Sequence, residues 1–153
     1  MGHHQNINQM KINNMKNIFE AAHQGDFDRV KATVLKAGVA IYDAVGASLL
    51  HYACSGGQKE IAKFLLDQGA AINEKDDLQN TPLMYACKHG GGHLELATML
   101  VKEYHADISI PGDGHNTAAL WAKIMGHDDI LEMLHNTEID AQQDAVETLG
   151  DIQ

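Results

Sequence analysis

Ten histidines, two cysteines and 21 Asp and Glu residues are the side chains of this 153-residue chain that could do chemistry. His89 and His93 flank a run of three glycines, Gly90-Gly91-Gly92, and His105, His115, His127 and His135 follow. A zinc site needs three or four such ligands converging at about 2 Å. The pair Asp128-Asp129 next to His127 has the residue types for acid–base work. Carboxylates before a helix have a simpler use, since they cap its first turn and favour its dipole. No nucleophile elbow, phosphate loop or His-Glu-x-x-His pattern is present, and the glycine run lacks the following Lys-Ser/Thr of a nucleotide loop. A histidine-dependent metal-binding protein or hydrolase stays an alternative, but no catalytic, metal or cofactor residue is assigned.

Charge narrows the classes. With 11 Lys+Arg against 21 Asp+Glu the net charge is −10, which disfavours nucleic acid and anionic membranes, both of which require positive charge on the protein. No apolar run reaches the roughly 18–20 residues of a membrane span. Residues 1–17 contain seven Asn/Gln and lack the apolar stretch of a signal peptide. The expectation is a cytoplasmic monomer without cofactor, with signal-independent secretion open. Met1-Gly2-His3-His4 is given no functional weight.

The elements that hold these residues emerge from self-similarity. Ser48-Leu49-Leu50-His51-Tyr52-Ala53-Cys54 aligns with Thr81-Pro82-Leu83-Met84-Tyr85-Ala86-Cys87 at a constant offset of 33. Gln58 to Leu66 aligns with His93 to Val101 once two glycines near Gly91-Gly92 are inserted, and Gly69-Ala70-Ala71-Ile72-Asn73 aligns with His105-Ala106-Asp107-Ile108-Ser109 after one more insertion. A weaker copy runs from Asn116 through Leu134, and a degenerate one from Phe19 to Val39. Each copy reads as two short helices and an extended connection. Leu50, Ala53 and Cys54 make a narrow stripe of small buried residues; Gly57 ends the first helix where positive φ is required. Thr81 is a good N-cap, and Pro82 fits the first turn. One such pair cannot bury both faces, so the copies must stack. Cys54 and Cys87, one repeat apart on helices about 10 Å apart, are too distant for a disulfide.

These residues resemble the ankyrin-repeat family, whose Thr-Pro-Leu-His-x-Ala signature survives as Thr81-Pro82-Leu83 followed by Met84 and as Leu50-His51-Tyr52-Ala53. Met84 and Leu120 replace the motif histidine, so its hydrogen bonds are in doubt there. The fold class expected is an all-α ankyrin solenoid of stacked helix-turn-helix units with β-hairpin-like connecting loops. The four repeats span about 18–46, 47–79, 80–114 and 115–140. Residues 1–17 form an N-terminal extension, mobile over 1–12, with a helix starting at an Asn13 or Asn14 cap and burying Met15, Ile18, Phe19 and Ala22. Residues 141–153 form an acidic segment in which Ala145, Val146 and Leu149 suggest a short helix capping the stack. The Gly90-Gly91-Gly92 insertion lengthens one loop.

The resemblance implies a non-enzymatic protein–protein interaction module, an adaptor or scaffold binding through loop tips and inner helices. A bacterial or parasite effector acting on a host protein is the alternative. The repeat places His23/Gln24, Ser55/Gly56, Lys88/His89 and Ile124/Met125 in a row across the inner surface. Ile124 and Met125 are either an exposed contact or covered by the C-terminal segment. Loop-tip candidates are Asp76, Asp77, Leu78, Gln79, Asp113 and His115, within tips that also include Asp43 to Ala47. Tyr52, Tyr85 and Trp121 form a second stripe that is either packed between repeats or an interface anchor, with Trp121 the strongest contact candidate. Residues 107–153 hold ten Asp/Glu and a single Lys. That acidic end is either a solvated cap or an attractor for a basic segment of the partner.

Overall fold

The computed structural model describes residues 3–89 and 93–150. The Gly90-Gly91-Gly92 insertion, Met1-Gly2 and residues 151–153 lie outside the described residues. The helices are α1 (His3–Gln24), α2 (Phe27–Ala37), α3 (Leu49–Ser55), α4 (Lys59–Asp67), α5 (Pro82–Lys88), α6 (Leu94–Thr98), α7 (Ala118–Met125) and α8 (Asp128–Gly150). They form four consecutive pairs. An inner row α1, α3, α5, α7 packs side by side, and the second helix of each pair stands behind its first. Among the described residues there is no β-strand; one isolated bridge joins Tyr42 and Ser48.

The inner helices start where short polar side chains stop the preceding extended segment. Ser48, Thr81 and Thr117 each have extended φ/ψ and accept the amide three residues on, from His51, Met84 and Leu120 at 3.3 Å. Their buried faces are narrow: Ala53 and Cys54 in α3, Ala86 and Cys87 in α5, Ala118 and Ala122 in α7. Helices α1 and α3 approach closely, since a Cβ on Gly56 would sit 1.9 Å from the His23 carbonyl oxygen. Cys54 and Cys87 are buried free thiols; burial raises both pKa values, that of Cys87 to about 12.

His51 ties one repeat to the next. Its Nδ1 accepts the Ser48 amide at 3.0 Å, so the proton sits on Nε2, which donates to the Asn80 carbonyl at 2.9 Å. Met84 and Leu120 supply no such bond. The third hairpin keeps the backbone bond of the first two, Gly112 N–H to Asn116 O, matching Asp43 N–H to Ala47 O and Asp76 N–H to Asn80 O.

Two local features depart from the sequence reading, the start of α1 and the end of α8, and a third shows how the insertion expected before His105 is accommodated. Helix α1 begins at His3, far ahead of Asn13 and Asn14, so neither asparagine caps it; Asn13 instead accepts from Gln9 one turn earlier. The extra residue of the third repeat is absorbed in a π-helical turn, Met99–Glu103, which leads to His105 at φ +57, where the second repeat has Gly69 at +96. The C-terminal segment does not form a separate cap. It continues α8 as a single 23-residue helix, buried at Ile130 and Leu134 and exposed throughout from Glu138 to Gly150. Lys102 meets Asp140 at 3.6 Å where α8 leaves the stack.

Candidate binding surface

The first two hairpins are built alike from a carboxylate and a tyrosine. Asp43 accepts the amides of Val45 and Ala47 on Oδ1 and the Tyr52 hydroxyl on Oδ2 at 2.6 Å. Asp76 accepts the amides of Leu78 and Asn80 and the Tyr85 hydroxyl at 2.5 Å. Each tyrosine thus fastens the inner helix to the loop preceding it. Desolvation, then the carboxylate, raises both phenol pKa values, that of Tyr52 to about 12. The third hairpin has Gly112 in place of the aspartate and Trp121 in place of the tyrosine. The Trp121 Nε1 atom is shielded from solvent without an acceptor.

Between the first hairpin, α1 and the inner row lies an open groove of about 800 Å³. Ile12 and Phe19 form one wall, Tyr42 and Val45 the other, and Tyr52 and Tyr85 the floor. Phe19 and Tyr52 are in contact, their ring centroids 5.0 Å apart. Ser55 and His89, two of the residues singled out from the sequence, line the same groove. His89 stacks on Tyr85 at 5.5 Å; burial, then the charges of Lys88, His23 and His93, lowers its pKa.

The other sequence-derived residues lie along the same face toward the C-terminal end. The Lys88 ammonium sits 4.5 Å from the centre of the Trp121 ring, a cation–π contact. Ile124 and Met125 are 59% and 47% exposed, so the C-terminal segment does not cover them. Asp77, Leu78, Gln79, Asp113 and His115 are exposed at the hairpin tips. Asp76 is not: at 2% exposure, with its carboxylate spent on two amides and Tyr85, it holds the hairpin together and is unavailable to a partner.

Ile12, Phe19 and Tyr42 were missing from the sequence-derived site, whereas Val45 fell within the Asp43 to Ala47 tip. The seven-residue spacing of Ile12 and Phe19 was the available signal, hidden because the helix was expected to start after Ile12. Two of the histidines hold structural positions, His93 directed at the Ser55 carbonyl at 3.3 Å and His51 between hairpins, while the His127 Nε2 atom is buried without a partner among the described residues. Among the described residues no three His, Cys, Asp or Glu side chains converge as metal ligands, and no described helix is long and apolar enough to cross a membrane.

Stacked helix pairs joined by β-hairpin-like loops over an inner helical row define a solenoid repeat protein. Residues 18–112 match the family described as ankyrin repeats in three copies, and the chain belongs to the ankyrin-repeat family. It is 34% identical over 77 residues to mouse ankyrin repeat domain-containing protein 63, covering 50% of this chain and 19% of that protein. Over 100 residues it is 34% identical to the Drosophila melanogaster ankyrin repeat and KH domain-containing protein mask, covering 61% of this chain and 2% of that one. Over 149 residues it is 30% identical to the Schizosaccharomyces pombe palmitoyltransferase akr1, covering 76% and 23%. The chain therefore spans less than a quarter of the length of these curated relatives.

Proposed function

We propose that the chain is a non-enzymatic adaptor that binds a protein partner through its concave face, with the aromatic groove beside α1 as the principal contact. The groove itself carries this reading: about 800 Å³ of open space walled by Ile12, Phe19, Tyr42 and Val45. Its floor is made of tyrosines already fixed by Asp43 and Asp76, so little ordering entropy is lost on docking. From there the contact continues across Ser55 and His89 to Lys88, Trp121, Ile124 and Met125, flanked by the tips at Asp77, Leu78, Gln79, Asp113 and His115. Two buried free thiols suit the reducing cytosol, where we place the protein.

The test is affinity capture from source-cell lysate with quantitative mass spectrometry, comparing the natural chain with Val45→Glu. Val45 is an exposed tip residue, so helical content and melting temperature are expected to stay the same. A protein retained by the natural chain and lost on the variant supports the groove. Identical retained sets from two equally folded proteins refute it.

A further inference from the structure

The two ends of the stack differ. In α5, which has α7 packed against it, Met84 and Cys87 are fully buried. Their equivalents in α7, Leu120 and Lys123, are exposed, and Ile124 lies beside them. That flank of α7, where a further repeat would stack, is therefore open.

Helix α8 presents a matching strip. Asp140, paired with Lys102, marks the side of α8 turned toward the third repeat. At about 100° per residue, Leu131, His135, Ile139, Gln142, Val146 and Leu149 fall on one strip on the other side. Their steps of four, four, three, four and three residues are those of a seam that pairs with another helix. Ile139, Val146 and Leu149 are exposed, the last two at 68%. Of the seven carboxylates between Ala118 and Gly150, Glu132 and Glu138 border this strip, Asp129, Asp140, Asp144 and Glu147 lie on the opposite side of α8, and no Lys or Arg lies on α8. A second copy would bring only glutamates, Glu132 and Glu138, to the borders of the seam, with no basic residue to meet them, which opposes self-pairing.

We infer that the open C-terminal end, α8 with the exposed flank of α7, is a second docking surface, and that its occupant is an amphipathic partner helix with Lys or Arg beside its apolar seam. Apolar contact to Ile139, Val146 and Leu149 supplies the affinity, and Glu132 and Glu138, on either side of the strip, select the basic flanks.

The full chain is used as bait for a display library of helix-forming peptides. Leu, Ile or Val is fixed at alternating three- and four-residue steps, and the flanking sites are drawn from Lys, Arg, Glu, Gln and Ala. Enrichment of Lys and Arg at the flanks is expected. So is a loss of binding of about tenfold or more on Val146→Glu, which buries a charge in the seam. Binding should also weaken as salt rises from roughly 50 to 500 mM. Val45→Glu leaves these peptides bound, which separates this surface from the groove. Val146 is exposed, so its variant is expected to melt like the natural chain; Ile139→Glu serves as a second variant. The proposal is overturned if nothing enriches, if the flanks show no basic excess, if both seam variants bind unchanged, or if the natural chain elutes as a dimer that Val146→Glu dissociates.

Discussion

The Tyr85 hydroxyl donates to the Asp76 carboxylate at 2.5 Å, across the nine residues separating the start of a hairpin from the middle of the helix it leads into. The bond secures loop and helix together, and it repeats one unit earlier between Tyr52 and Asp43. Because Asp76 is buried and Asp43 only half-buried, the two bonds differ in consequence. Tyr85→Phe is expected to cost about 1–3 kcal/mol, since it leaves a buried charged acceptor short of a donor. Tyr52→Phe should cost less. Urea unfolding of both variants checks this; equal losses would mean that burial of the carboxylate does not set the cost.

Gly56 is required by space and not by its backbone angles, which are ordinary right-handed values. A methyl group there meets the His23 carbonyl, a backbone atom that cannot swing aside. Gly56→Ala should therefore force α1 and α3 apart and lower stability by about 1–3 kcal/mol or more. Gly69→Ala, with nothing within 4 Å of the new carbon, provides a comparison limited to backbone strain at φ +96. Thermal melts that rank Gly69→Ala as the more damaging change would contradict the close approach.

His51 gives the fold a pH dependence. Burial is the main influence and lowers its pKa below the ordinary 6.5, outweighing the carbonyl of Asn80 and the nearby Asp76 and Glu74. The unfolded chain then takes up its proton first, so stability falls as pH drops below 6.5 and levels off once the folded-state pKa is passed. His89, also lowered, acts in the same direction. In melts at pH 7.5 and 5.5, His51→Gln should be less stable than the natural chain at the higher pH and lose less on acidification. A natural chain whose melting point is unchanged between the two would count against the neutral, buried imidazole.

Ala86 has no exposed surface, and Ala86→Asp should unfold the stack by enclosing an unpaired charge among close-packed helices. Lys88→Glu with Met125→Glu, one repeat-face away, should leave the far-ultraviolet circular dichroism nearly as it was. The reverse outcome would invert the assignment of buried and inner faces.

The pairing of helices was readable from the sequence because a stack repeats its chemistry at fixed intervals. Tyr52 and Tyr85, Cys54 and Cys87, Ser48 and Thr81 recur in register, each at the same place in its repeat. What escaped the reading lies where the repeat breaks down. Asp76 looked like a loop-tip charge because its type and position suit either exposure or a turn; only the Tyr85 hydroxyl, nine residues on, decides. Asn13 and Asn14 looked like caps, yet an asparagine inside a helix costs only a few tenths of a kcal/mol more than a good helix former. The wall formed by Ile12 and Phe19 followed that helix out of view. The acidic tail was read as a cap because terminal repeats need a cover, whereas α8 runs on past the stack.

The third hairpin has a glycine where the others have a pinning aspartate, and its tryptophan has no acceptor to grip. Each helix pair leans only on its neighbours, and the joint between the third and fourth pairs lacks the carboxylate–tyrosine bond that fastens the other two. Spontaneous opening is expected to begin at that joint. The amides of α7 are therefore expected to exchange with water before those of α3, which hydrogen–deuterium exchange checks, while the tyrosines of the groove stay pinned to Asp43 and Asp76.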